Sequence, residues 1–413
     1  MNATEPSPPT RTNWVSRTVI GIILATFFSD VSHEMCTAVL PMYLATVDLG
    51  PAALGLIEGV ADFLVSLSKL AGGYVGHHVE RKRPWASLGY LVTTLGTWGI
   101  AFVGSLAAVL SLRSAAWVGR GFRSPLRDFM LADTVEPKFF GRAYGLERAG
   151  DMLGAVVGPL IAVLLLWAGM EFRTIILWTI LPGLLAAAAF FFLTKDKTAV
   201  PQSAANDDGS THVKPPFPKA FWLFLIGVFL FGLGDFSRTF LIWVAARVLG
   251  ENATTSGVLS VAVLLYTLHN LVSAAAAYPV GHFGDRGSKL RVLIGGYALG
   301  VGTNVLLAVA SGSLGWLVLA IVLSGIYIAV EETIEKAVAA ELLPRELRAL
   351  GFGILACVNA IGDMTSSLYV GFLLEAGQSH IAFGIAAACG LLGVCWLLRM
   401  FISNTARQGR SQT

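Results

Sequence analysis

Between Arg113 and Pro159 the chain carries Arg120, Arg123, Arg127, Asp128, Asp133, Glu147, Arg148 and Asp151 in a setting that is otherwise strongly apolar. Earlier, Asp30, His33 and Glu34 stand at i, i+3 and i+4, which places them on one helix face. Glu58, Asp62 and Lys69 follow a similar spacing, and Asp235 and Arg238 form a further acid and base pair. Carboxylates beside a histidine take up and release protons, and guanidinium groups hold anions or keep a carboxylate ionised. Proton handling and charge recognition are therefore the chemistry these residues offer. Met35 and Cys36 extend the Asp30 cluster into a row of metal-ligand types. A helix aims only some of such a row at one ion, and the mixture of hard and soft donors is not diagnostic, so no metal site is expected. No nucleotide-binding Walker pattern and no Ser/His/Asp set in an enzyme context is present, so neither an enzyme nor an ATP-driven pump is expected.

The elements that must position these charges follow from composition. The 413 residues are 55% hydrophobic and 13% charged, with a mean hydropathy of +0.69, well outside the usage of water-soluble domains. At about 20 apolar residues per bilayer span, roughly twelve helices are expected. They run near 18–46, 52–76, 85–110, 113–134, 142–168, 172–193, 221–249, 255–282, 290–311, 314–340, 349–375 and 379–402. The fold class is thus an all-α polytopic membrane protein, since backbone groups in lipid must be paired within the segment. Asp30 lies roughly 20 Å along the first helix from Arg17, near mid-membrane. A charge at that depth costs at least about 2.5 to 3.5 kcal/mol and must face a cavity or another charge. Arg120 falls at similar depth, with Arg123 and Arg127 nearer one end of helix 4. His269 reads as a hydrogen-bonded interior histidine.

Basic residues crowd the even-numbered connections, among them Arg81, Lys82, Arg83, Lys138, Arg142, Lys195, Arg286, Lys289, Arg345 and Arg348. The odd-numbered connections offer Arg113, Arg173 and Arg247. By the positive-inside rule both termini are expected in the cytoplasm. The polar, proline-bearing start is not a cleavable signal peptide. Cys36, Cys357, Cys389 and Cys395 all fall in helices and suggest no disulfide framework. The expected organisation is a tail (1–17), a six-helix half (18–193), a linker (194–219) rich in Pro, Ser, Asp and Lys, a second six-helix half (220–402) and a tail (403–413).

The halves repeat at an offset of about 205 to 208 positions. Asp30-Val-Ser32-His33 aligns with Asp235-Phe-Ser237-Arg238, the loop after Gly73 with the loop after Gly281, and Asp133, Gly145 and Gly154 with Glu341, Gly353 and Gly362. Asp62, Lys69, Arg148 and Asp151 align with Asn270, Ala277, Ala356 and Asn359, so the first half is expected to be the titratable one. Pseudo-symmetric six-helix halves with a site between them are a transporter architecture.

Over essentially its whole length the sequence resembles the major facilitator superfamily. The resemblance rests on twelve helices in a six-plus-six repeat, on the loop pattern Gly281, Asp285 and Arg286, on an arginine-bearing helix 4, and on Gly154, Gly158 and Pro159 in helix 5. It implies alternating access. In the first half His77 and His78 stand where the family's loop has aspartate and arginine. The normal closing contact is thereby in doubt, and a pH sensor and simple loop drift remain open. The helix 5 motif resembles that of the family's antiporters, although small residues at this spacing also let helices pack closely. At the repeat offset Arg123, Arg127 and Asp128 lie opposite Glu331, Glu335 and Lys336 with every sign inverted. The family's geometry then implies a gate paired across the halves, the alternative being that each charge is satisfied within its own half, for example Arg127 with Asp30, or Glu147 with Arg148.

The expected function is secondary active transport of a small solute by alternating access, proton-coupled and by export. Asp30, His33, Glu34 and Asp62 are the proton-coupling residues in this reading, and Arg120, Arg123, Asp235 and Arg238 the charge-binding ones. Proton-coupled uptake, transport of a metal or metal chelate, and a non-transporting receptor or scaffold are the alternatives. No cofactor is expected beyond the proton gradient. The expected partners are a small-molecule substrate and the lipid bilayer, with no nucleic acid, in a monomer of a bacterial inner membrane.

Overall fold

The computed structural model describes residues 14–49, 51–196, 216–236, 240, 255–309 and 314–410. Among these the structure is helical, with no strand. The first half comprises α1 (Arg17–Thr46), α2 (Pro51–His78), α3 (Arg83–Gly99), α4 (Leu106–Thr134), α5 (Phe140–Trp167) and α6, which runs as Phe172–Trp178 and Ile180–Leu193. The second comprises α7 (Lys219–Gly232), α8 (Thr255–Arg286), α9 (Lys289–Val309), α10 (Leu314–Leu342), α11 (Arg348–Glu375) and α12 (Ser379–Arg410). Residues 197–215, most of the expected linker, lie outside the described residues, as do Arg238 and the side chain of Asp62.

One boundary moves with consequence. α4 begins at Leu106 rather than near 113, because no breaker interrupts the apolar run that precedes Arg113. Arg113, expected in a connection, is therefore a helix residue and is only 1% exposed. Local chemistry sets the other ends. The Ser16 hydroxyl accepts the Val19 N–H at the start of α1, and Pro51 opens α2 where no intrahelical N–H is needed. Gly169 and Gly377 take left-handed φ values of 81° and 74° just past α5 and α11, the usual glycine stop. These two stops are repeat-related, as are the short 3-10 turns Pro137–Phe139 and Arg345–Leu347 ahead of α5 and α11.

Short connections make sequential helices antiparallel. One end of the bundle, here termed the linker face, thus carries the starts of α1 and α7 and the end of α6. The outer surface is apolar, with Phe63, Trp167, Phe192, Leu264 and Phe372 all exposed, while arginines and carboxylates are buried inside. Among the described residues, seven helices are long and apolar enough to cross a membrane by length and composition alone. α4 falls short of that measure because of the charges it turns inward.

The halves meet along α5 with α8 and α2 with α11. At the linker face these helices touch backbone to backbone. A Cβ on Gly141 would lie 2.3 Å from the Gly281 carbonyl oxygen, and one on Gly281 would lie 2.0 Å from that of Gly141. Gly73 similarly faces the Gly353 Cα at 2.9 Å. Gly281→Ala is therefore expected to cost the closed linker face about 1 to 3 kcal/mol by overpacking. Spin labels at Lys138 and Arg291 should then show a longer distance component, and an unchanged distribution would show that this contact does not hold the face shut.

Candidate functional site

Two loops close the linker face with opposite chemistry. The Asp285 carboxylate, at the end of α8, accepts the backbone N–H groups of Gly141 (2.8 Å) and Arg142 (2.9 Å) and the Arg142 Nε–H (2.9 Å). These N–H groups are orphans of the α5 N-terminus, where the helix dipole also favours an anion. Lys289 lies 3.4 Å from Asp285, pairs with Glu341 at 2.5 Å and donates to the Pro137 carbonyl at 3.2 Å. At the repeat-related place His77 brings its Nδ1 to 2.8 Å from the Glu346 backbone carbonyl, ahead of α11. A carbonyl needs a donor, which histidine supplies and aspartate does not. The His77 side thus closes by a different bond rather than none. Arg345 pairs with Asp133 beside it, and Arg286 is exposed.

Deeper in, α4 supplies Arg113, Arg120 and Arg127 at heptad spacing, with Arg123 between them, all toward α1 and its neighbours. Arg120 reaches Asp30 at 2.5 Å and Asp151 at 3.8 Å. Arg148 holds Asp151 at 2.7 Å and lies 3.8 Å from Glu332 on α10. Lys336, one turn beyond Glu332, stands 4.0 Å from it, 3.6 Å from Asp128 and 4.0 Å from Glu147. Arg127 lies between Asp128 and Glu147, at 3.0 Å from each. Of the three sign-inverted pairs expected across the halves, Asp128 with Lys336 is in contact. Arg127 instead pairs inside its own half, because α5 brings Glu147 to it. Arg123 donates to Ser29 (2.6 Å) and Thr93 (3.1 Å) and covers the Tyr90 ring at 3.8 Å.

His33 is buried with its ring edge-on to Trp117, 4.7 Å between centroids, and its Nδ1 has no hydrogen-bond partner among the described residues. The Arg113 and Arg120 guanidinium groups lie 5.6 and 5.7 Å from the same indole. Glu34 is within electrostatic reach of Arg120. The helix 5 glycines sit against these groups. A Cβ on Gly154 would lie 2.8 Å from the Asp30 Cβ, and one on Gly158 2.9 Å from the Glu34 Cβ. Pro159 continues α5 immediately beyond.

In the second half Asp235 and Glu335 meet neutral donors. Asp235 accepts the Tyr327 hydroxyl at 2.7 Å. Glu335 accepts the Tyr297 hydroxyl and the Asn359 amide, the latter at 2.7 Å. Glu331 is buried beside them. His269 Nε2 is 3.2 Å from the Ser324 hydroxyl. Among the described residues no group of three or more His, Cys, Asp and Glu is arranged to hold a metal ion. Sequence reading did not single out Glu332, Trp117, Tyr297, Tyr327 or Asn359. Glu332 adjoins Glu331 in the run Glu331-Glu332-Thr333-Ile334-Glu335-Lys336, a density of acids that was its only signal. The aromatic and amide partners carry none.

A lipid-facing apolar exterior, two repeated six-helix halves and a charged seam between them define a polytopic membrane carrier. The Major Facilitator Superfamily model matches residues 22–268 and 259–412, and the chain belongs to that family of secondary transporters. An uncharacterized MFS-type transporter of Methanocaldococcus jannaschii is 27% identical over 365 residues, 87% of this chain and 89% of the relative. The uncharacterized MFS-type transporter YqjV of Bacillus subtilis is 25% identical, over 91% and 92% of the two chains. Among solved structures the human organic anion transporter MFSD10 superposes with a TM-score of 0.74 at 16% identity, covering 95% of this chain and all of that one. The Escherichia coli fucose:proton symporter does so at 0.71 and 14%, covering 92% and 98%.

The contact of Lys336 with Asp128 and Glu147 exists only while the halves meet. A charge-assisted contact of this kind contributes on the order of 1.5 to 3 kcal/mol. Lys336→Gln is thus expected to shift the closed-to-open ratio of the linker face by roughly tenfold to a hundredfold. Thiol labelling of a cysteine placed at Tyr144, in a background with the native cysteines replaced by serine, should accelerate accordingly. Unchanged labelling would remove Lys336 from the closure.

Proposed function

We propose that the chain exports a small solute by proton-coupled antiport through alternating access. The observation that carries this reading is the continuous series of ion pairs from Asp30 through Arg120, Asp151, Arg148, Glu332 and Lys336 to Asp128, Glu147 and Arg127. It begins at a buried carboxylate near mid-bundle and crosses twice between the halves. The basic connections support a cytoplasmic linker face, and in this reading the closed face corresponds to an outward-facing carrier.

A proton taken up by Asp30 from outside cancels the charge that holds Arg120. Arg120 then turns to Asp151 and competes with Arg148 for that carboxylate, which frees Arg148 to change its contact with Glu332 across the halves. Protonation at mid-bundle is in this way passed to the seam that shuts the cytoplasmic side. The close packing of Gly154 and Gly158 on α1 beside Asp30 and Glu34 supports antiport, because a shift of α1 on protonation is passed directly to α5. His33 and Asp62 belong to the same proton site in this reading. Arg120 holds the carboxylate ionised, and Arg123, lacking a carboxylate partner among the described residues, attracts an anionic group of the cargo. In the second half Asp235 lines the opposite wall, and Arg238 is kept as a charge-binding residue in this reading. Two structural neighbours are named as proton symporters, for fucose and xylose, and one as an organic anion transporter. These names support proton coupling and a small organic solute.

The test is proteoliposomes containing a pH-sensitive dye, an imposed proton gradient and pooled small organic anions, cations and sugars. At least one pool should drive proton movement opposite to solute movement, and Asp30→Asn should abolish that proton movement while solute exchange persists. Parallel movement would replace antiport with symport. Coupled flux equal in wild type and Asp30→Asn would remove Asp30 from the mechanism.

A further inference from the structure

The two halves balance their buried charges differently. In the first half Asp30, Asp128, Glu147 and Asp151 each have a guanidinium or ammonium group within 4.0 Å. In the second half the strongest electrostatic influences on Glu331 come from Asp235, Glu335, Asp363 and Glu332, all acids. Glu331 is 7% exposed, and its Oε2, sealed from solvent, has no hydrogen-bond partner among the described residues.

Among the described residues, none of the elements packed around Glu331 brings a cation within 4.0 Å of it. α9 presents Tyr297, whose hydroxyl goes to Glu335, and α11 presents Asn359 and Asp363. α8 presents His269, bonded to Ser324, and Asn270. Just past α7, Asp235 accepts the Tyr327 hydroxyl of α10 itself, and on α2 Lys69 lies within electrostatic reach of Glu332 and Asp363. From the other half, Arg148 is turned to Asp151 and Glu332, and Arg127 to Asp128 and Glu147. Lys336, on the same helix, is committed to Asp128, Glu147 and Glu332. An ionised carboxylate in such a place is too costly to keep and is neutralised instead. The surroundings are also packed: Tyr297 is fully buried and its ring stacks on Phe231 at 3.6 Å between centroids. The neutralising group is therefore no larger than a proton.

We propose that Glu331 is a second proton-carrying carboxyl, in the wall opposite Asp30 and flanked by Asp235 and Glu335, so that one transport cycle moves two protons. This rests on the proton-coupled reading above and deepens it. The step is a simple transfer. A hydronium ion on the outer side protonates the Glu331 carboxylate. When the linker face opens, Lys336 parts from Asp128 and Glu147, water reaches α10, and the proton passes to that water. The carboxylate left behind is then screened by water and by the released Lys336.

The test needs no cargo. The purified full-length protein in lipid, with ¹³C-carboxyl glutamate, is followed by infrared spectroscopy in the protonated-carboxyl carbonyl region as pH is varied. A label-shifted glutamate band is expected in the wild type, lost in Glu331→Gln and retained in Asp30→Asn and Glu335→Gln. In Glu331→Asp, which also covers the case in which the glutamine variant does not fold, the band should be replaced by one that the glutamate label does not shift. A glutamate band unchanged in Glu331→Gln, or the absence of any such band in the wild type, overturns the proposal. Failure of the Asp30 reading appears separately, as coupled flux that Asp30→Asn leaves intact while the Glu331 band stands.

Discussion

A buried charge must be answered by an opposite one within a few ångströms, and Lys336 of α10 finds two of its three answers in the other half, at Asp128 and Glu147. At about 4 Å and an effective dielectric near 20, each such contact amounts to roughly 4 kcal/mol before desolvation is subtracted. The desolvation penalty removes much of that. What remains suits a seam that must open: strong enough to select the paired arrangement, weak enough to be released. The long contacts of 3.8 to 4.0 Å through Glu332 contrast with the 2.5 and 2.7 Å pairs inside the first half. The mid-bundle pairs of the first half are thus tight, whereas the contacts of Arg148 and Lys336 across the seam are longer than those that close the linker face at Asp285 and His77.

Closure of the linker face draws on two unlike interactions. Glycines bring α5 and α8 to backbone contact, and Asp285 satisfies N–H groups that the start of α5 cannot satisfy itself. On the pseudo-symmetric side the partner offered is the Glu346 carbonyl, and the residue in place is His77. The departure from the family loop pattern is consequently matched by a change in what the loop meets. Only the three-dimensional pairing shows that donor and acceptor have exchanged places.

The repeat and its sign inversion have a further consequence. Arginines gathered on α4 are matched by acids on α1 and α5, whereas the equivalent region of α10 gathers acids that neutral hydroxyl and amide groups surround. One half therefore keeps its charges fixed as pairs, and the other keeps acids whose charge depends on what else is present. A carrier that alternates between two faces needs both kinds of group, one to define the states and one to respond to the solution on each side.

Composition and apolar run lengths alone determined the membrane class, the twelve helices and the two-half organisation, because bilayer thickness and backbone pairing admit few solutions. The repeat located Asp30, Arg120, Asp128, Asp285 and Lys336 as residues to watch, since charge inside an apolar helix is expensive enough to mark a purpose. The partners were decided only in three dimensions. Whether Arg127 met Glu335 or Glu147 depended on which helix lay nearer, and whether Arg113 sat in a loop or a core depended on where α4 began. Trp117, Tyr297 and Tyr327 were invisible beforehand, and Asn359 appeared only as the repeat counterpart of Asp151, because aromatic and amide residues are common in membrane helices and become informative only when packing sets them against a buried charge.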